Sequence, residues 1–184
     1  MRIVAGSARG RRIEAPEGRN TRPTLDRVRE NLFNMLQGLI ADSKVLDLFA
    51  GSGALSFEAI SRGALSAVLV DSDRKASSVQ KRNAESLGFS DQVQIICCDW
   101  HNVFPTLYRS KETFDLVFLD PPYAMTDMTE VFLKLVPVSG ADTCIILEHQ
   151  TGRKPVIPDC FEMFKSRSWG FCSVDFYRLS KEEA

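Results

Sequence analysis

From residue 44 onward, short apolar runs alternate with stretches of helical periodicity, and this restricts the fold more than any other feature of the chain. The runs at 44–49, 66–71, 93–98, 114–119 and 143–148 read as strands. Helices are read at about 53–62, 73–87, 100–109 and 127–136. Leu116-Val117-Phe118-Leu119 is apolar on both faces, as a parallel strand buried between two helical layers requires. The alternation predicts an α/β fold with a doubly wound, mostly parallel sheet. Two further strands, at 161–166 and 171–178, bring the count to seven and supply an antiparallel edge. At 184 residues the chain makes one domain, large enough to bury roughly 70% of its unfolded surface without staples.

Several classes are excluded at once. No apolar run approaches the roughly 18 residues of a membrane span, and the N-terminus lacks a signal-peptide core. The five cysteines are odd in number and show no Cys-x-x-Cys spacing, which suits a reducing cytoplasm. His101 and His149 have no metal-ligand spacing, so no metal is expected.

Charge is unevenly distributed. Residues 1–30 hold eight arginines against four acids, a balance of +4, and the rest of the chain carries −5. Arginine matches phosphate bidentately, so a basic arm on a mildly acidic body points to a polyanionic partner. Arg2–Ala5 and Arg12–Ala15 flank Gly6-Ser7-Ala8-Arg9-Gly10 and read as a β-hairpin. After Pro23, Thr24 is placed to cap a helix whose Val28, Leu32, Met35, Leu36 and Leu39 share one face, with Phe33 at its border.

The strand ends carry the chemistry. The first closes on Asp47-Leu48-Phe49-Ala50-Gly51-Ser52-Gly53, a Gly-x-Gly turn into a helix. The third glycine of a dinucleotide fingerprint is replaced by Ser56, and a carboxylate at Asp47 would repel a pyrophosphate. It would attract an ammonium or sulfonium group, which favours S-adenosylmethionine over NAD. Asp71 ends the second strand, 20 positions after Gly51, where an acid can accept ribose hydroxyls. Its neighbour Asp73 is read as a helix cap. Asp99 and Trp100 follow the third strand and suit an adenine amino group and ring. The fourth strand ends in Asp120-Pro121-Pro122-Tyr123. Two prolines stiffen the backbone and remove donors. The Asp120 carboxylate and the Pro121 carbonyl then make an acceptor pair for an exocyclic amine, beside an aromatic face for a flipped base.

With these residues together, the sequence resembles the class I S-adenosylmethionine-dependent methyltransferases with an Asp-Pro-Pro-Tyr motif, and more narrowly the RsmD family. The likeness runs from Arg2 to about Tyr123 and includes Thr21–Glu30, Asp47–Leu55, Ser61–Ala64 and Phe114–Tyr123. Ser56, Asp71 and Trp100 depart from the family pattern without removing a functional group. The resemblance implies a Rossmann-like methyltransferase domain over 24–184 with a basic arm over 1–23. It implies methyl transfer to N2 of a guanine, position 966, in 16S ribosomal RNA by a cytoplasmic monomer acting on the small subunit or its precursor. Asp47, Phe49, Ala50, Gly51, Ser52 and Gly53 would hold the methionine end of the cofactor, Asp71 the ribose, and Asp99 with Trp100 the adenine. Arg22 and Thr24 would close over the site, with Asp120 touching cofactor and base alike. Asp120, Pro121, Pro122 and Tyr123 would hold the guanine, and Arg9, Arg11 and Arg12 the RNA phosphates. Two rivals are a DNA adenine-N6 methyltransferase, for whose target-recognition region the chain has little room, and a non-catalytic RNA-binding module, against which the intact Asp47 and Asp120 argue.

Overall fold

Side-chain alternation along the strands dictates the layering. The computed structural model describes residues 1–16 and 23–180, the side chains of 23–26 excepted. In β1 (Lys44–Asp47), Val45 turns to one face of the sheet and Leu46 to the other. In β2 (Ser66–Asp71), Ala67 and Leu69 oppose Val68 and Val70. In β4 (Phe114–Leu119), Leu116 and Phe118 oppose Val117 and Leu119. All are buried, so both faces need cover. The first face takes α1 (Pro23–Met35), α2 (Ala54–Ser61) and α3 (Arg74–Leu87). The second takes α4 (Trp100–Ser110) and α5 (Thr129–Leu135).

With β3 (Val93–Cys97), β5 (Ser139–Gln150), β6 (Phe161–Trp169) and β7 (Cys172–Leu179), the sheet has seven strands in the order β3-β2-β1-β4-β5-β7-β6. Strands β1 to β5 are parallel, as the alternation predicts. The last two strands supply the antiparallel edge as expected, with β7 between β5 and β6 and antiparallel to both. Strand β5 runs past residue 148 because His149 and Gln150 pair with Ser173 and Cys172. The winding reverses between β1 and β4, where sheets of this type leave a crevice at the carboxyl edge. Among the described residues, no helix is long and apolar enough to cross a membrane.

The N-terminal hairpin is shorter than its sequence suggests. Arg2 and Arg12 form a single bridge, supported by Ile3 N to Arg11 O (3.0 Å) and Ile13 N to Met1 O (3.0 Å). The ladder stops because Val4 and Ala5 donate their amides elsewhere, to Glu58 Oε2 and Oε1 of α2 at 2.8 and 3.0 Å. Ile3, Ala8 and Ile13 are buried in the same core as Val28, Leu32 and Phe33. Gly6 makes this docking possible. Its φ is 83°, and a Cβ there would stand 1.7 Å from the Ser61 carbonyl oxygen. That oxygen accepts from Ser7 N at 2.7 Å.

Helix α1 starts at Pro23, so Thr24 lies inside the first turn rather than before it. Proline suits that turn because its missing N–H would have had no helical partner. The helix ends at Met35, which leaves Leu39 in the next turn and 48% exposed instead of on the buried face. Phe33 is no border residue. It is fully buried, with its ring 5.8 Å from that of Phe118.

Candidate active site

A cavity of about 490 Å³ opens at the carboxyl edge between β1 and β4. Its floor is Asp47 with Phe49, Ala50, Gly51 and Ser52, and its far wall is Asp120, Pro121, Pro122 and Tyr123. Met1, Ala15 and Pro16 of the arm and Val28, Arg29 and Leu32 of α1 cover it. That size and mixed lining suit a nucleoside-sized ligand.

Asp47 is the most constrained residue in it. Its side chain is 1% exposed. Ser56 Oγ donates to Oδ2 at 2.9 Å, whereas Oδ1 is buried without a hydrogen-bond partner. Burial raises the Asp47 pKa to about 7; the Ser56 hydroxyl opposes this rise and the Asp71 charge adds to it. A buried acceptor that receives no hydrogen bond is costly to a fold unless a donor or cation completes it. A cationic group entering the cavity would do so.

The glycine turn is held from behind by α3. Gln80 Nε2 donates to Gly51 O at 2.9 Å, and Asn83 Nδ2 donates to Ser52 O at 3.0 Å. Both side chains are buried, and Asn83 also bonds Glu14 of the arm. Gly51 N donates to Asp71 Oδ2 at 2.8 Å, and Asp73 N to Asp71 Oδ1 at 2.9 Å, which fixes the carboxylate at the end of β2. Asp73 caps α3 through Lys75 N, as its sequence position predicts. Gly53 sits apart from the cavity lining. Its φ is 79°, and a Cβ would come within 2.5 Å of Phe57 and 2.8 Å of Leu69, so packing dictates the glycine rather than ligand approach.

Asp71, Asp99 and Trp100 line the next stretch of the edge, outside the cavity itself. Asp99 caps α4 by accepting from His101 N at 2.9 Å and also contacts the His101 ring. The His101 amide and ring hold the Asp99 carboxyl below its usual range. Trp100 stacks on His101 and meets Phe104 edge-on. Arg22 and the side chain of Thr24 lie outside the described residues.

In the loop after β4, Pro122 O accepts from Met125 N at 2.8 Å. The proline carbonyl left to serve as acceptor beside Asp120 is therefore that of Pro121. Tyr123 is 54% exposed, an open face beside the cavity. Burial of its hydroxyl, with the nearby Glu148 and Asp120 charges, pushes the phenol pKa up. Glu148, at the end of β5, lines the same cavity. Burial raises its pKa, while a hydrogen bond with Cys172 works the other way. Gln80 and Asn83 escape sequence reasoning. Their only local signal is polarity on a helical face otherwise made of Ala76, Val79, Ala84 and Leu87.

The three arm arginines are not equivalent. All three are exposed, but Arg11 donates to the Leu87 carbonyl at 2.8 Å and to that of Ser86, capping the end of α3.

Sheet order, a glycine turn backed by an acid at the end of β2, and an unsatisfied carboxylate under the cavity together define a class I S-adenosylmethionine-dependent methyltransferase. An O-methyltransferase of Bacillus cereus, solved with S-adenosylhomocysteine and 14% identical, shares the fold at a TM-score of 0.71 over 90% of this chain and 84% of that one. Within the class, residues 1–178 match the family described as Conserved hypothetical protein 95, and the chain belongs to that family, the RsmD family. The chain is 34% identical to the ribosomal RNA small subunit methyltransferase D of Escherichia coli, over 100% of this chain and 91% of that one. The solved structure of Escherichia coli YhhF, 29% identical, superposes with a TM-score of 0.83 over 98% of each chain. The protein is a methyltransferase with S-adenosylmethionine as its cofactor.

Proposed function

We propose that the protein methylates the exocyclic N2 amine of a guanine in 16S ribosomal RNA. The observation that carries this is one cavity joining the unsatisfied Asp47 oxygen to the Asp120–Tyr123 loop. The Escherichia coli relative, a small-subunit ribosomal RNA methyltransferase by name, supports the choice of RNA. In this reading Asp47, Gly51 and Ser52 hold the methionine end of S-adenosylmethionine, Asp71 the ribose and Asp99 with Trp100 the adenine. When bound, the cofactor supplies a methyl group activated by a positive sulfur.

The chain's own groups do the orienting. A guanine N2 lone pair is delocalised into the ring and is a poor nucleophile. Asp120 and the Pro121 carbonyl accept the two N–H bonds of the amine and favour its pyramidal form, which frees the lone pair and aims it across the cavity. Tyr123 stacks on the base. Glu148 offers a further acceptor for the N1–H that guanine has and adenine lacks. Catalysis then rests on orientation and preorganised charge. No general base is assigned, because the methylated amine becomes acidic and sheds its proton. Transfer of labelled methyl to small subunits lacking the modification, followed by mapping of the base, tests the reading. Label on DNA adenine instead would overturn it.

Protonation of Asp47 makes cofactor binding pH-dependent. The folded-state pKa of about 7 lies above the ordinary 3.8, so below pH 7 the free protein holds a proton there that a cationic ligand must expel. Affinity should therefore rise with pH by up to about tenfold per unit between pH 5 and 7 and then level off. Calorimetry in two buffers of different ionisation enthalpy should show about one proton released per cofactor at pH 6. No proton release would mean that Asp47 does not meet the ammonium.

The arm and body divide the work as 1–23 and 24–184. Changing Arg9 and Arg12 to Ala should weaken RNA binding and lower the salt slope by roughly 0.7 for each phosphate no longer neutralised, for single-stranded RNA. Cofactor affinity should not move. Including Arg11 would blur the measurement, because its guanidinium also caps α3.

A further inference from the structure

The turn between β6 and β7 carries an aromatic ring that the fold does not use. Phe171 is 85% exposed; the next most exposed large apolar side chain among the described residues, Val156, is at 56%. Its neighbours on either side pack inward, Cys172 buried and Trp169 half-buried against the core. The turn is also fixed in place. Gly170 takes a positive φ of 62°, and Phe171 O accepts from Thr151 N at 3.0 Å. Thr151 Oγ1 and Ser168 Oγ both meet Ser173 Oγ, at 2.9 and 2.8 Å. The backbone that presents the ring is thus already ordered, which removes part of the conformational cost of binding.

Its position is set by the sheet. Strand β7 begins where β5 ends, at the pair Gln150–Cys172, so the turn stands on the same carboxyl edge as the Asp120–Tyr123 loop. Two strand spacings, roughly 10 Å, separate β7 from β4. The arm docks on α2 and α3, beyond the other side of the cavity. The turn and the arm thus flank the target loop.

The surrounding charge is cationic. Arg153 and Lys154 are exposed on the segment that Thr151 ties to Phe171, and Arg167 is exposed two residues before the turn. The acids nearby are committed: Asp175 is buried against His149 and Ser166, and Glu148 is turned into the cavity. Asp159 and Glu162 lie at the far end of β6, where Glu162 pairs with Arg178. Outside residues 1–30 the chain is net −5, so this cationic rim runs against the trend of the body.

We propose that the β6–β7 turn is a second RNA-contact element, in which Phe171 stacks on an unpaired base next to the target nucleotide while Arg153, Lys154 and Arg167 neutralise flanking phosphates. This deepens the ribosomal RNA reading and rests on it. A stacking platform flanked by cations is the means by which proteins hold unpaired RNA without reading its sequence.

The test compares Phe171→Ala, Phe171→Leu and Phe171→Trp on small ribosomal subunits lacking the methyl group, with wild type in the same assay. Phe171→Ala should raise the KM for the particle roughly 5- to 100-fold, the equivalent of losing one base–aromatic stack. At saturating RNA, kcat should stay within about twofold, because the contact is made equally in ground and transition states. Cofactor affinity should be unchanged. Phe171→Trp should behave as wild type and Phe171→Leu as Phe171→Ala. Since the side chain is almost fully exposed, the three variants should melt together. An unchanged KM for Phe171→Ala, with wild type active, overturns this proposal and leaves the ribosomal RNA reading standing. Full rescue by Phe171→Leu also overturns it, in favour of an apolar protein contact. A wild-type enzyme inactive on the particle but active on DNA removes both.

Discussion

Replacing Asp120 by Asn should lower kcat on ribosomal RNA by roughly 10²–10³, the usual cost of losing one preorganised polar contact at a reacting centre. The substitution keeps the side chain's shape. It exchanges one acceptor oxygen for an NH2 group, which would face the N–H bonds of the target amine donor to donor. The amine then loses both an acceptor and its alignment, and its lone pair returns to the ring. Cofactor affinity should change little, because Asp47 on the cavity floor and Asp71 farther along the sheet edge are held independently, by Ser56 and Gly51. Tyr123 separates stacking from hydroxyl chemistry. Tyr123→Phe should keep most activity, and Tyr123→Ala should lose about 1–3 kcal/mol of base stacking. Any pH limb near 7 belongs to Asp47 and should appear in the KM for the cofactor, not in kcat at saturation. Near-normal turnover of Asp120→Asn, or a Tyr123→Phe as inactive as Tyr123→Ala, would remove the roles assigned to this loop.

What is legible in the sequence and what is not differ in a physical way. Buried parallel strands need apolar residues on both faces, and Leu116–Leu119 announces this within four residues. Asp47, Asp71 and Asp120 are likewise visible because each sits where an apolar run stops. Strand order is not local. The tail forms the antiparallel edge that the pattern predicts, yet nothing in Cys172–Leu179 says that it pairs with both β5 and β6 and leaves β6 outermost. Glu58, Gln80 and Asn83 are silent for the same reason. Each is a polar residue in an ordinary helix, and its backbone partners lie 29 to 69 positions away. The company of other arginines marks Arg11 as a phosphate ligand, yet its guanidinium reaches the carbonyl end of α3, 76 positions on. Local pattern reveals which groups are present, whereas their commitments depend on the packed fold.

Glu58 carries the largest stability effect among these. Its side chain is fully buried in α2, a position where an unpaired carboxylate would not survive. Four groups converge on it. The amides of Val4 and Ala5 donate to its two oxygens, Arg62 Nε donates to Oε1 at 2.7 Å, and Arg29 Nε stands 3.9 Å from Oε2. Arg29 is itself 5% exposed and donates to the Arg2 carbonyl, so the arm, α1 and α2 share one charge cluster. Glu58→Ala would take the ion-pair carboxylate from the largely buried Arg62, remove a nearby negative charge from Arg29 and leave two amides without an acceptor. Breaking a buried pair from one side costs about 3–5 kcal/mol. For a chain of this size each kcal/mol moves Tm by about 2–4 °C, so the melting point should fall by roughly 6–20 °C. Glu58→Gln keeps an acceptor for the amides but not the charge and should fall between. In the proposed reading the loss should reach the active site as well, because Met1, Ala15, Pro16 and Arg29 all cover the cavity. Cofactor affinity measured well below the new Tm should therefore drop in Glu58→Ala, although Glu58 does not line the cavity. A variant that melts with the wild type would show that the arm docks through Ile3, Ala8 and Ile13 alone, and that the carboxylate is dispensable.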